Sequence, residues 1–237
     1  MILRPGEVHV WRISLDQPAI RLDLLSRTLS VDELARAGRF RSKRNRDRYT
    51  AARATLRVIL ARYLASDPTS VAFTYGPQGK PALDWGPGEL ALGFNLTHSA
   101  ELALLAVTVE SSVGVDLERV RPFEDARSVA ARIFSARELA EFQRLAPAHQ
   151  EAAFYNAWTR KEAFVKATGL GFSTDVAEVE VTFAPGLPAR LMRLHGDTEA
   201  AAGWTLRELS TGPRYAAAVA LRGPILGLSQ LRWDHEI

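Results

Sequence analysis

Val113-Gly114-Val115-Asp116-Leu117-Glu118 alternates apolar side chains with a glycine and two acids. Alternate residues of a strand share a face. Val113, Val115 and Leu117 therefore anchor one side, while Asp116 and Glu118 project from the other. Further along stands Trp158-Thr159-Arg160-Lys161-Glu162-Ala163-Phe164-Val165-Lys166-Ala167-Thr168-Gly169-Leu170-Gly171. Here Trp158, Glu162 and Lys166 recur every fourth residue, which stacks them along one helix stripe. A strand and a helix thus offer three carboxylates and an ammonium. The whole chain has five histidines and no cysteine. An all-oxygen donor set suits a hard cation such as Mg2+.

Working outward from these motifs, one order of elements reads twice. In the first half, residues 8–15 alternate and predict a strand. Ser30 or Asp32 caps a short helix through Arg39. Residues 43–64 read as a long helix, with Tyr49, Ala52, Leu56, Ile59, Leu60 and Tyr63 at helical spacing. Residues 76–93, rich in glycine and proline, read as loop. Residues 94–96 and 102–109 read as strands joined near Thr97-His98-Ser99. After a seam at Ser111-Ser112, residues 113–118 predict a strand. Ser135 with Glu138 forms a capping box for a helix through Arg144. Residues 150–168 predict a long helix ended by Gly169. Residues 179–183, 189–194, 204–209 and 215–221 follow as strands.

The repetition has a register. Val8-His9-Val10 and Glu33-Leu34-Ala35 recur at one shared offset, 105 residues, as Val113-Gly114-Val115 and Glu138-Leu139-Ala140. The same offset lays residues 53–57 over 158–162. The fold expected is α+β, with two similar subdomains, 1–111 and 112–237, related by a pseudo-two-fold axis. The acids do not repeat: Asp116 falls opposite Trp11, Glu118 opposite Ile13 and Glu162 opposite Arg57. One metal site is expected, not two. A pseudo-dimer of this kind predicts a monomer, because it already buries the surface a second subunit would use.

Composition sets the class. The chain has 237 residues, 47% hydrophobic and 24% charged, an ordinary globular balance. Without cysteine there is no disulfide, thiolate zinc site or cysteine nucleophile, which fits a reducing cytoplasm. Neither a signal-peptide core nor a run of membrane-spanning length is seen. Net charge is only +3, but Arg36, Arg39, Arg41, Lys43, Arg44, Arg46 and Arg48 crowd together against the single acid Asp47. Such a cluster attracts anions.

The pair of motifs resembles the signature of the 4′-phosphopantetheinyl transferases. Gly79-Lys80-Pro81, Phe94-Asn95-Leu96-Thr97-His98-Ser99 and the chain length resemble the Sfp-type branch, and the likeness runs from about Arg36 to Gly171. It implies an enzyme that moves the phosphopantetheine arm of coenzyme A onto a serine of an apo acyl or peptidyl carrier protein, releasing adenosine 3′,5′-bisphosphate. It implies Asp116, Glu118 and Glu162 as Mg2+ ligands, Glu162 and Lys166 as catalytic groups, and Arg48, Lys80, Thr97, His98, Asp116 and Lys166 as coenzyme A contacts. His98 is assigned to the 3′-phosphate. Arg36 and Arg53 are lesser candidates, and Arg53 is also read as pairing with a helix neighbour. Thr97 stands where many relatives carry serine, with the same donor and acceptor capacity. Glu162 is the family's proposed base, although a metal-bound carboxylate is a poor one. Trp158 is read mainly as core, and Gly169 and Gly171 as a helix terminus.

Two other functions fit less of the chain. Another Mg2+-dependent phosphotransferase or diphosphate hydrolase would explain three acids and a lysine, but not the full Trp-to-Gly motif. A nucleic-acid-binding module would use the arginine-rich helix but leave the acids unexplained. Neither nucleic acid nor membrane is expected as a partner.

Overall fold

The computed structural model describes residues 1–84, 91–122, 126–169, 171 and 175–233. Residues 85–90 of the expected loop, and Leu170 of the second motif, lie outside them. The first half runs β1 (Glu7–Ser14), α1 (Ala19–Ser26), α2 (Val31–Gly38), α3 (Lys43–Leu64), a 3-10 turn (Pro68–Ser70), β2 (Phe73–Tyr75), β3 (Pro81–Leu83), β4 (Leu92–Ser99) and β5 (Leu102–Val109). The second runs β6 (Val113–Arg119), α4 (Ala126–Ile133), α5 (Ala136–Arg144), α6 (Pro147–Thr168), a 3-10 turn (Val176–Glu178), β7 (Val179–Val181), β8 (Leu191–Leu194), α7 (Glu199–Ala202), β9 (Trp204–Glu208) and β10 (Tyr215–Arg222). β11 (Gly227–Arg232) follows.

The strand order is shared. In one sheet β1 pairs antiparallel with β5, and β5 with β4; in the other, β6 pairs with β10 and β10 with β9 in the same sense. Short hairpins β2–β3 and β7–β8 take matching places. The fold is α+β in two like units. β11 departs from the pattern: it follows β10 of the second sheet, yet lies parallel to β1 in the first.

Alternation places the cores. Ile13, Leu105 and Val107 pack under α3 with Leu56, Ile59 and Leu60. Ala218 and Ala220 pack under α6 with Ala163 and Phe164. The opposite sheet faces meet in a third core of Val8, Val10, Leu104 and Ala106 against Val113, Val115, Leu117 and Val219. The layers are therefore helix, sheet, sheet, helix. β5 is buried at every position because both its faces are covered.

Several elements differ from the sequence reading. α6 starts three residues earlier than expected, with Pro147 at its first turn, where a missing N–H costs nothing. β4 continues through Thr97, His98 and Ser99, and the chain turns instead at Ala100, whose φ is 52°. β3 lies inside the stretch read as loop, since its proline sits at the strand start where no ladder N–H is needed. The sequence reading assigns no element at α1, α4, α7, β2 or β11.

The duplicated register also shifts. Both helices before the long ones begin with capping boxes, Ser30 with Glu33 and Ser135 with Glu138. Each capping glutamate also receives a cation from the long helix. Arg57 donates to Glu33 at 2.6 Å and Lys161 donates to Glu138 at 2.6 Å. Arg57 is thus matched by Lys161, at an offset of 104 rather than 105. Glu162 then falls opposite Val58, not Arg57.

Candidate active site

The site begins with a close approach. A Cβ built on Gly114 would stand 2.1 Å from the Ala163 carbonyl oxygen and 2.3 Å from the Ala167 nitrogen. Only glycine lets the α6 backbone lie so near β6. Ala163 and Ala167, one turn apart, are small for the same reason. On this packing, the next two residues on the same face of β6, Asp116 and Glu118, meet the Trp158–Glu162–Lys166 stripe.

Asp116 is buried, 2% exposed. Its Oδ1 accepts from Lys166 Nζ at 2.5 Å and from the Thr97 hydroxyl at 3.3 Å, and Lys166 also donates to Thr97 at 3.0 Å. Its Oδ2 is buried with no hydrogen-bond partner among the described residues. Glu118 accepts from the Ser99 hydroxyl at 3.0 Å. Burial raises all three carboxyls above their ordinary range. The Asp116 charge adds to the rise at Glu118 and Glu162, while Lys166 opposes it at Asp116. Asp116 makes Glu118 and Glu162 harder to ionise, and Glu118 does the same to Glu162, so the site is short of positive charge.

The donor set fits a hard divalent ion: it is all oxygen, carries excess negative charge and includes an orphaned buried Oδ2. As the side chains stand, no group of three or more acids or histidines among the described residues is arranged to hold a metal ion.

The seam between the halves is made by side chains. Asn95, Thr97 and Ser99 alternate on β4 and all reach β6. Asn95 accepts from the Val115 N–H at 2.9 Å, Thr97 bonds Asp116, and Ser99 accepts from the Arg119 N–H at 3.0 Å. A cleft of about 760 Å3 opens beside it, lined by Lys80, Asn95, Trp158, Glu162 and Lys166. A smaller cavity of about 260 Å3 shares Gly79 and Pro81 with the cleft and holds Arg36, Tyr49, Arg53, Thr97 and His98.

The expected residues divide accordingly. Thr97, Asp116, Glu118, Glu162 and Lys166 come together. His98 is exposed at the second cavity with Arg36, which the sequence reading ranked low. Arg53 reaches that cavity but is committed to Glu33 and to the Tyr75 hydroxyl, and it stacks on Phe73 at 4.0 Å. Arg48 lines neither cavity; its guanidinium is bidentate on Asp16, at 2.6 and 2.9 Å. Lys80 lines the cleft, yet its ammonium is bound to backbone carbonyls. Trp158 packs against the second core, as expected, and its exposed part also walls the cleft. Sequence reasoning missed the Glu138–Lys161 pair and the seam role of Asn95 and Ser99. The alternation of Asn95, Thr97 and Ser99 was the available signal.

Comparison with known proteins defines the class. Residues 112–220 match the family model of the 4′-phosphopantetheinyl transferase superfamily. Over 223 residues the chain is 43% identical to the 4′-phosphopantetheinyl transferase HetI of Nostoc sp., spanning 94% of this chain and 91% of that one. It is 31% identical to the 4′-phosphopantetheinyl transferase psf-1 of Bacillus pumilus over 204 residues, 86% and 83% of the two chains. The holo-[acyl-carrier-protein] synthase structure of Thermotoga maritima aligns with a TM-score of 0.37 at 23% identity, over 48% of this chain and 63% of that one. The chain belongs to the 4′-phosphopantetheinyl transferase family and is a transferase of that kind.

Proposed function

We propose that the protein moves 4′-phosphopantetheine from coenzyme A to a serine of an apo acyl or peptidyl carrier protein, at the β6–α6 site and with Mg2+. The observation that carries this reading is the ion pair of Asp116 with Lys166, which with Glu162 lines the cleft, and the Asp116 Oδ2 that is buried without a partner among the described residues. In the reaction the serine Oγ–phosphorus bond forms and the pyrophosphate P–O bond breaks. The serine proton leaves, and adenosine 3′,5′-bisphosphate departs. Such catalysis is mostly positioning and charge stabilisation.

Asp116, Glu118 and Glu162 would hold the ion. Mg2+, when bound, supplies Lewis-acid charge to the pyrophosphate oxygens. Lys166 brings an ammonium to the same phosphates, and Thr97 fixes its direction. His98 and Arg36, at the second cavity, take the 3′-phosphate end. Glu162 is also the group placed to take the serine proton, directly or through one water, with its basicity reduced while it holds the ion. Arg39, Arg41, Lys43, Arg44 and Arg46 are exposed around the start of α3 and steer an acidic carrier by long-range charge. The protein acts as a monomer in the cytoplasm; among the described residues no helix is long and apolar enough to cross a membrane.

The test is incubation with coenzyme A, Mg2+ and an apo carrier protein, followed by intact mass. A carrier heavier by one phosphopantetheine is expected. An unchanged carrier, with coenzyme A cleaved to free products, would indicate a diphosphate hydrolase instead.

A further inference from the structure

The ammonium of Lys80 is engaged away from the cavity it borders. Nζ donates to the carbonyl of Lys166 at 2.5 Å, of Val113 at 3.3 Å and of Ala167 at 3.4 Å. An ammonium has three N–H donors, and three carbonyls receive them. Lys166 and Ala167 lie in the last turn of α6, where carbonyls lack partners within the helix. A cation there also meets the negative end of the helix dipole. Val113 is the first residue of β6. A single side chain from the first half thus ties together the two elements that carry the acids.

The hairpin bearing Lys80 is built to reach that place. Its turn closes through the Gly76 N–H to the Lys80 carbonyl at 3.0 Å and the Gly79 N–H to the Gly76 carbonyl at 2.8 Å. On the other side, Gly171 lies against it: a Cβ there would stand 3.1 Å from Gln78 Cβ. Gly169, with φ of 73°, ends α6 beside the Lys80 stem. The two glycines after α6 therefore leave room for a hairpin from the other half, beyond ending a helix. At its far end the hairpin is held by Tyr75, whose hydroxyl accepts from Arg53 at 2.7 Å.

We propose that Lys80 is a positioning residue, which fastens the last turn of α6 to β6 across the seam and so fixes Lys166 against Asp116, and that it is not a phosphate ligand. The kinetic consequence rests on the transfer reading given above; the structural consequence does not. Lys80 acts on the carbonyl of Lys166, the residue whose side chain meets Asp116. Loss of the clasp should therefore cost the chemistry, which needs Lys166 in register with Asp116, more than the hold on coenzyme A, which His98 and Arg36 at the second cavity share.

The experiment compares the full-length chain with Lys80→Met and Lys80→Arg. Three quantities are read: amide hydrogen exchange over residues 163–169 without ligand, coenzyme A affinity by calorimetry, and kcat for carrier modification. Lys80→Met should speed exchange and lower kcat, each by about tenfold, with coenzyme A affinity changed by less than about threefold. Lys80→Arg should restore the protection and most of kcat. Coenzyme A affinity that falls about tenfold with exchange unchanged would make Lys80 a phosphate ligand and overturn the proposal. Unchanged exchange and unchanged kcat would overturn it too. Should Lys80→Met fail to fold, Gly171→Ala pushes the hairpin off from the opposite side. It should give the same faster exchange with affinity kept, and unchanged exchange there would count against the clasp. A wild-type chain that transfers nothing would sink the transfer reading, while the exchange measurement would still decide the clasp.

Discussion

β1 and β6 occupy equivalent places in two like halves, and their faces toward the long helix differ at every position. His9, Trp11 and Ile13 of β1 stand where Gly114, Asp116 and Glu118 stand in β6. In the first half His9 bonds the Tyr63 hydroxyl at 2.7 Å, and Trp11 and Ile13 fill the core under α3. In the second, the counterpart of Tyr63 is Ala167, and glycine against alanine lets the backbones touch. Val58, buried in the first core, is replaced by Glu162. The same scaffold holds an apolar core in one half and an acidic site in the other. The difference teaches that the site is an opened core: burial that stabilises β1 instead raises the carboxyls on β6.

The largest test of this contrast removes the distinguishing side chains on each side. Asp116→Ala, Glu118→Ala and Glu162→Ala should each cut transfer by about a hundredfold or more while the fold survives. Ile13→Ala should do the reverse, costing about 2–5 kcal/mol of stability with little change in rate per folded molecule. Rates and melting curves taken together check both. Near-normal transfer by the Glu162 variant would break the comparison.

Gly114→Ala comes next. The added Cβ meets backbone, which cannot rotate away, so α6 must shift. Stability should drop by about 1–3 kcal/mol, and transfer by about a hundredfold as Lys166 and Glu162 leave register with Asp116. His9→Ala in the first half should change stability only, by about 1 kcal/mol for a lost hydrogen bond.

A smaller effect is expected at the second cavity. His98→Ala should raise the apparent coenzyme A constant by about tenfold, the scale of a charge-assisted hydrogen bond. Dephospho-coenzyme A should then penalise the variant less than the wild type. Equal penalties would detach His98 from the 3′-phosphate.

The smallest effect concerns pH. Burial, and then the Asp116 charge, raise Glu162, so the folded chain holds that proton more tightly than the unfolded one. Its ionisation therefore costs stability as pH rises from the ordinary carboxylate range through the raised value. In chelator at neutral pH, Glu162→Gln should melt above the wild type, and the gap should close as pH falls below the ordinary range. A variant that melts lower at neutral pH would mean that the carboxylate is stabilised where it sits.

Much of this contrast was legible in the sequence. The alternation in residues 113–118 placed the acids on one face of β6, and the four-residue spacing placed Glu162 and Lys166 on one stripe of α6. The shared offset gave the duplication, a cap at Ser30 or Asp32 gave α2, and the Ser135–Glu138 capping box gave α5. Sequence could not show the one-residue shift in the long helices. That shift follows from Arg57 and Lys161 meeting Glu33 and Glu138, pairs set by packing between elements distant in the chain. Nor could it show which cations have partners within the fold. Arg48, Arg53 and Lys80 look alike as basic residues in matching motifs, and each has a partner within the fold. Gly114 reads as a gap in a strand pattern until the helix that lies against it is seen.

The central claim is that one half alone carries an ion site, made by Asp116, Glu118 and Glu162. Its most direct test is titration with Mn2+ in the presence of coenzyme A, followed by electron paramagnetic resonance. The account predicts one tightly held ion per chain in the wild type, and its loss in Asp116→Asn and Glu162→Gln variants that still fold. An ion retained with unchanged affinity in both variants would contradict it.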